Sequence, residues 1–220
     1  MHKRRSSRKF LIFFTFLTVI SGCVNIPHHE LKSVPSGHLY NGEYINVRVP
    51  NSDGWHLVNS SSAGMEFAKS GVEGKGSFAA QVLIFPLQKT EDRSDFLALI
   101  KTGIDADTDS TRFNIKSLNF NYTEKRDYPC VHVKSDLEDK KAITSLRHRE
   151  SLVLQMSALY CRHPVKLDTG FAIIYSYRGP TTYPSIGNEA KGFIDGVQVP
   201  RIRINGVRVD GSMGSESIDS

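Results

Sequence analysis

Three residues in the second half of the chain have the types that a serine hydrolase combines. Ser176, His163 and Asp168 could supply the nucleophile, the base and the group that orients the base. No GxSxG elbow accompanies them, and P-loop, HExxH and GxGxxG patterns do not occur either. Ser176 lies in an alternating segment that is typical of a strand, so we interpret it as a sheet hydroxyl. We expect no catalytic residue and retain a small hydrolase only as the alternative.

Cys130 and Cys161 lie in segments that we interpret as the two arms of one hairpin. The predicted strands span 128–137 and 152–162, with the charged segment 138–150 as the loop between them. Antiparallel pairing makes opposite residue numbers add to about 290, and these two add to 291. The two thiols therefore face each other, and we predict a disulfide. Because there is no CxxC motif, the pair should be structural. Two buried free thiols are the alternative.

Aromatic and basic side chains are concentrated near the ends of the two strands predicted at 152–162 and 171–178. If these strands are neighbours, stacking and anion contacts could bind a ligand or a partner there. The competing interpretation is a polar sheet face with tyrosines over the core. The candidate binding surface consists of Tyr160, Arg162, His163, Tyr175, Tyr177 and Arg178.

The N-terminal segment has the parts of an export signal. A basic stretch precedes the apolar run 10–20, whose eleven residues fall short of the roughly 20 that a membrane-spanning helix needs. Small residues and a cysteine follow, in the order expected of a secretory signal peptide. An exported chain enters a compartment that permits disulfides.

The sequence Ile20-Ser21-Gly22-Cys23 resembles the lipobox of bacterial lipoproteins. The resemblance implies that the signal peptide 1–22 is removed and that Cys23 carries acyl chains such as palmitate. Two or three chains would anchor the protein firmly. Val24 occupies the position where an Asp favours the inner membrane in enterobacterial lipoproteins, so the resemblance implies the outer membrane. An ordinary signal peptide or an uncleaved anchor is the alternative.

The charge of the chain belongs to this signal. The chain has 28 Lys and Arg against 23 Asp and Glu, a formal excess of +5. Five cations lie in the first 22 residues with no acid among them, so the rest is formally neutral. This distribution argues against a nucleic-acid partner, which needs a basic patch on the domain itself.

We interpret the remaining chain as a tether at 23–39, a single domain at 40–209 and a flexible tail at 210–220. The tether contains His28-His29-Glu30, which is too few ligands for a metal site, so we expect neither metal nor cofactor. In the domain, short strands, a helix around Phe96 to Ile104, more strands and a helix at 185–196 predict an α+β fold: a largely antiparallel sheet flanked by two helices. The segment 112–123 changes phase at Ser117-Leu118, where a bulge would keep its apolar residues on one side.

The domain is similar to PsbP-like domains. The residues that carry the resemblance are Pro-x-x-x-Gly-Trp at 50–55, AIIYSYRG at 172–179 and Phe193-Ile194 in a late helix. The resemblance covers roughly residues 43–197 and implies a curved antiparallel sheet flanked by helices, with roles in binding or assembly. We therefore expect a lipid-anchored, non-catalytic binding or assembly factor that faces the periplasm and meets other envelope proteins. A small periplasmic hydrolase and a structural envelope component are the alternatives.

Overall fold

The computed structural model of the protein describes residues 31–71, 74–143 and 149–200, and the backbone of two strands at 203–204 and 207–208. The signal segment, Cys23, the His28-His29-Glu30 group and the predicted tail lie outside these residues. In the described ranges, neither helix has the length and hydropathy needed to cross a bilayer.

Strands dominate the described part of the chain, which contains two helices. In chain order the elements are β1 (Lys32–Ser33), β2 (Leu39–Tyr40), β3 (Asn46–Arg48), β4 (His56–Ser61), β5 (Gly64–Ser70), β6 (Ser77–Pro86), α1 (Arg93–Asp107), β7 (Phe113–Thr123), β8 (Cys130–Ile143), β9 (Arg149–Arg162), β10 (Thr169–Gly179), α2 (Ile186–Gly196), β11 (Val197–Gln198), β12 (Arg203–Ile204) and β13 (Val207–Arg208).

Eight strands form one antiparallel sheet in the order β1-β4-β5-β6-β10-β9-β8-β7. Two runs of hairpins, β4 to β6 and β7 to β10, meet where β6 pairs with β10 along almost its whole length. Helix α1 connects the two runs and carries the chain from β6 in the centre to β7 at the edge. A small sheet, β11-β3-β2, and the hairpin β12-β13 complete the fold.

Each face of the large sheet carries one helix, and we name the faces after them. Along β10, Phe171, Ile173 and Tyr175 point to the α2 face, where they join the largest core cluster with Phe193. Ala172 and Ile174 point to the α1 face and pack in the cluster that contains Phe96 and Ile100. A strand buried on both faces needs a continuous apolar sequence, which is what β10 has.

The prediction of an α+β, PsbP-like fold is wrong, because the two helices are minor elements beside the large sheet. The chain is mostly β, and helices of 15 and 11 residues face strands of up to 14 residues. The predicted strands were too short: the segment 138–150 was interpreted as a loop because it is charged, but β8 continues to Ile143 and β9 begins at Arg149. The charge does not prevent this, because buried Asp139 is paired with arginines and Ala142 is fully buried.

Part of the segment predicted as a tether belongs to the fold. The strand β1 pairs with β4, and the amide of Val34 donates a hydrogen bond of 3.0 Å to the carbonyl of Trp55. Val34 is buried in the α2-face core. The folded unit therefore includes residues before the expected boundary at Tyr40.

Candidate functional site

The predicted disulfide is confirmed. Cys130 and Cys161 are direct partners in the β8-β9 ladder, with an S–S distance of 2.06 Å, and both are buried in the α2-face core. The bond joins the two arms of the longest hairpin at the end away from its turn. It leaves neither cysteine available as a thiol.

The six residues of the predicted binding surface do not come together, because the sheet separates them. Tyr160, Arg162 and Arg178 lie on the α1 face, whereas Tyr175 and Tyr177 lie on the α2 face. Adjacent residues of a strand point to opposite faces of the sheet, so residues that are close in sequence along β10 lie on different faces.

Tyr175 and Tyr183 are used within the fold. Both hydroxyls donate hydrogen bonds to the carboxylate of Glu189 in α2, one to each oxygen. Burial, followed by the hydrogen bond to Glu189, raises the pKa of Tyr175. These tyrosines therefore fasten α2 to the sheet.

Arg162 also has structural partners. Its guanidinium donates to the carbonyls of Leu167 and Gln88 and to the hydroxyl of Thr90, and it lies against the ring of Phe96. Burial lowers the pKa of this group. The side chain ties the β9-β10 loop to the segment before α1 and is not presented to solvent.

Arg178 in β10 and Arg112, which directly precedes β7, hold the buried carboxylate of Asp139 at 2.5 Å and 2.9 Å. Burial raises the pKa of Asp139, but the hydrogen bonds from Arg112 and the charge of Arg178 outweigh burial, so the pKa falls below its ordinary value. The network closes the end of the α1 face that is far from α1.

His163 is fully buried, and its Nδ1 accepts hydrogen bonds from the amides of Val165 and Lys166 at 3.2 Å and 3.0 Å. Burial lowers the pKa of its imidazole. The ring shapes the turn after β9. Nδ1 of His163 therefore has a structural role in this turn.

The structure does not assemble a triad from Ser176, His163 and Asp168. The amide of His163 pairs with the carbonyl of Thr169 at the start of β10. Ser176 lies seven steps further along β10, about 23 Å away at roughly 3.3 Å per residue. Asp168 directly precedes β10 and is equally remote from Ser176. Among the described residues, no histidine lines the cavity to which Ser176 belongs.

That cavity is the candidate functional site. It lies on the α1 face beyond the last turn of α1 and has a volume of about 200 Å³. Seven strands and α1 contribute to its wall, and the wall includes Ile115, which is 46% exposed. Its wall is largely aliphatic, with Leu83, Ile104, Leu118, Leu154, Met156 and Ile174.

Ser135 is the polar group of the cavity wall that the fold leaves unpaired. Its side chain is 4% exposed, and its hydroxyl has no hydrogen-bond partner among the described residues. An unpaired buried hydroxyl costs about 1–3 kcal/mol. Such a group is typical of a place where a ligand supplies the missing partner.

Asp107 supplies the charge of the cavity. It is the last residue of α1, and burial raises the pKa of its carboxyl to about 6. Burial, followed by the charge of Asp107, raises the pKa of Tyr160, which places the phenol near this carboxyl. The last turn of α1 carries no basic residue, although the C-terminal end of a helix favours cations over anions. Asp107 thus occupies a position that stability alone disfavours.

The polar residues of this cavity were not predicted from the sequence, apart from Tyr160 and Ser176, which were singled out for other reasons. Asp107 lies in the short acidic run 105–109 and looks like a solvent-exposed helix end. One signal was available, because acids at the C-terminal end of a helix oppose its dipole.

Comparison with known proteins adds little. No protein family matches the chain, and no curated protein matches it. A crystal structure from Bacteroides thetaiotaomicron VPI-5482 is similar over 79% of this chain and 51% of that chain, with 12% sequence identity and a TM-score of 0.39. The chain thus spans about half of that protein, and the likeness is too low to support a functional argument.

Among the described residues, no group of three or more His, Cys, Asp and Glu could hold a metal.

Proposed function

We propose that this protein is a lipid-anchored envelope lipoprotein whose β domain binds a small, largely apolar ligand in the cavity on the α1 face. The observation that carries the binding role is the aliphatic cavity, which retains a buried unpaired hydroxyl at Ser135. Ligand sites are typically apolar with a few polar residues, and a buried hydroxyl in such a wall can be satisfied by a ligand.

The anchoring role rests on Ile20-Ser21-Gly22-Cys23 and on the basic and apolar segments before it. Acylation of Cys23 would hold the mature chain at the membrane, and Val24 favours the outer membrane by resemblance to enterobacterial lipoproteins. A periplasm-facing domain could then take up ligands or meet other envelope proteins.

Ligand binding is tested by titrating the chain with octanol, monitored by NMR shifts of residues in the cavity wall. Leu83→Trp should fill the cavity and abolish the shifts. Val58→Trp is the matched control, because Val58 is exposed on β4 and does not line the cavity. Failure of the unsubstituted chain to bind octanol or any similar amphiphile would favour a purely structural envelope component.

Anchoring is tested by fractionating cells that express the full chain. Cys23→Ala should release the protein from the membrane fraction, whereas Ser21→Ala, which keeps a small residue in the motif, should not. Val24→Asp should move the protein from the outer to the inner membrane. Retention of Cys23→Ala in the membrane fraction would contradict lipid anchoring.

A further inference from the structure

We infer that the cavity selects amphiphiles with an aliphatic body and a cationic head, such as a primary amine, and that Asp107 and Ser135 bind the head. This inference rests on the proposed binding function and names the ligand class for the same cavity. It follows from the charges, the unpaired hydroxyl and the helix end that line the same cavity.

The charges of the wall are all of one sign. Asp107 and Glu66 line the cavity, and no Lys, Arg or His does among the described residues. Glu66 already accepts a hydrogen bond of 2.8 Å from Gln81, which also lines the cavity, so we assign the contact with the head to Asp107. A carboxylate or phosphate head would meet uncompensated negative charge, whereas a cation would find its counter-charge.

The end of α1 adds to this preference. Asp107 closes the helix, and the partial negative charge of the C-terminal carbonyls lies at the same point. Ile104, one turn earlier, also lines the cavity, so the helix end forms part of the wall. A bound cation would interact with both the carboxylate and the helix dipole.

Ser135 completes the head site. An ammonium group is a donor without acceptor capacity, and a serine hydroxyl offers lone pairs to it. The hydroxyl of Ser135 is buried and lacks a partner, so an ammonium donor would satisfy it. The aliphatic body of the ligand would then lie over Leu154, Met156 and Ile174.

The test compares octylamine, octanol and octanoate, which share a chain and differ in the head. Calorimetric titration of the full chain should show that octylamine binds about tenfold or more tightly than octanol, as expected for a charge-assisted hydrogen bond, and that octanoate binds most weakly. Asp107→Asn should lower the affinity for octylamine to nearly that for octanol. Asp105→Asn is the matched control, because Asp105 is exposed on the same turn and does not line the cavity.

A second variant isolates the hydroxyl. Ser135→Ala should lower the affinity for octylamine several-fold, as expected for the loss of one hydrogen bond to a charged group. The affinity for octanoate should stay unchanged or rise slightly. Circular dichroism of both variants checks that the fold is retained.

The octylamine affinity should also fall as the pH is lowered through about 6, the pKa to which burial raises Asp107. Below this pKa the carboxyl is protonated and its attraction for the amine is lost. The other ionisable side chains of the wall are Glu66 from β5 and Tyr160 from β9. The decrease should be absent in Asp107→Asn, while the octanol affinity should not change with pH in either chain.

The outcomes separate the two proposals. If octanol and octanoate bind as tightly as octylamine, or if Asp107→Asn keeps the preference for octylamine, the head-group inference is overturned and the binding function stands. If none of the three ligands binds, the binding function itself is contradicted.

Discussion

The two faces of the large sheet are built to different degrees of completeness. On the α2 face, Trp55, Phe67, Tyr175 and Phe193 pack in one continuous core, and the buried tyrosine finds a carboxylate partner in α2. On the α1 face, the helix covers only one end of the strands. The remaining apolar surface forms a cavity, with an unpaired hydroxyl at Ser135.

This difference separates stability from binding. The closed face has the properties of a protein interior, in which substitutions change the free energy of unfolding strongly. The incomplete face contains groups that gain nothing from the fold itself, such as Ser135 and Asp107 at the end of α1. Residues that break local rules without a structural benefit are expected at functional sites.

The largest expected effect is on the closed face. Trp55→Ala should lower the free energy of unfolding by about 3–5 kcal/mol, because Trp55 is fully buried and its truncation leaves a cavity in the core. Leu83→Ala, in the half-buried wall of the existing cavity, should cost less than about 2 kcal/mol. Urea unfolding measures both. Equal losses would show that the two faces do not differ in packing.

The disulfide should contribute almost as much to the free energy of unfolding as the side chain of Trp55. Cys130 and Cys161 are separated by 31 residues, and replacing both with serine should cost about 3–4 kcal/mol, since the crosslink restricts the unfolded chain. The measurement is urea unfolding of the oxidised and the double-serine proteins. Alkylation of both cysteines in the native protein without reductant would contradict the bond itself.

Asp139 tests the ion network at the far end of the α1 face. Asp139→Asn should cost about 3 kcal/mol at neutral pH, because Arg112 and Arg178 lose their counter-charge. The pKa of Asp139 lies below its ordinary 3.8 in the folded state, so the carboxylate stabilises the fold above that pH and the stabilisation is lost as the pH falls further. Unfolding measured across this acid range should therefore be less pH-dependent in Asp139→Asn than in the unsubstituted protein. The same acid dependence in both would contradict the role of this carboxylate.

The sequence predicts features that depend on local alternation and register. It does not predict features that depend on contacts between residues distant in sequence. The numbers of Cys130 and Cys161 were enough to place them opposite each other. The phase change in β7 was also enough to predict a bulge, which the structure places between Ile115 and Ser117, so that Ile115 and Leu118 both line the cavity. The extent of β8 depended on Arg112 and Arg178, far away in sequence, which neutralise Asp139.

The candidate site could not be predicted for the same reason. The interpretation of Tyr175 and Arg178 as one surface treated nearby residues as neighbours, although the pleat directs them to opposite faces. The cavity is lined by eight elements, the strands β4 to β10 and α1, which chain order alone does not bring together. Its existence depends on where α1 ends relative to the sheet, and no sequence period specifies that position.

The smallest effects are expected for two serines, Ser52 beside the α2-face core and Ser135 in the cavity wall on the α1 face. Ser52 accepts hydrogen bonds from the indole of Trp55 at 3.0 Å and from the ammonium of Lys69 at 2.9 Å, so Ser52→Ala should cost about 1–2 kcal/mol. Ser135→Ala removes a hydroxyl without a partner and should leave the free energy of unfolding unchanged or raise it by up to about 1 kcal/mol. Urea unfolding of the two variants decides, and a clear loss of stability in Ser135→Ala would show that its hydroxyl already has a structural role. If stability is retained while octylamine binding weakens, Ser135 serves the ligand and not the fold.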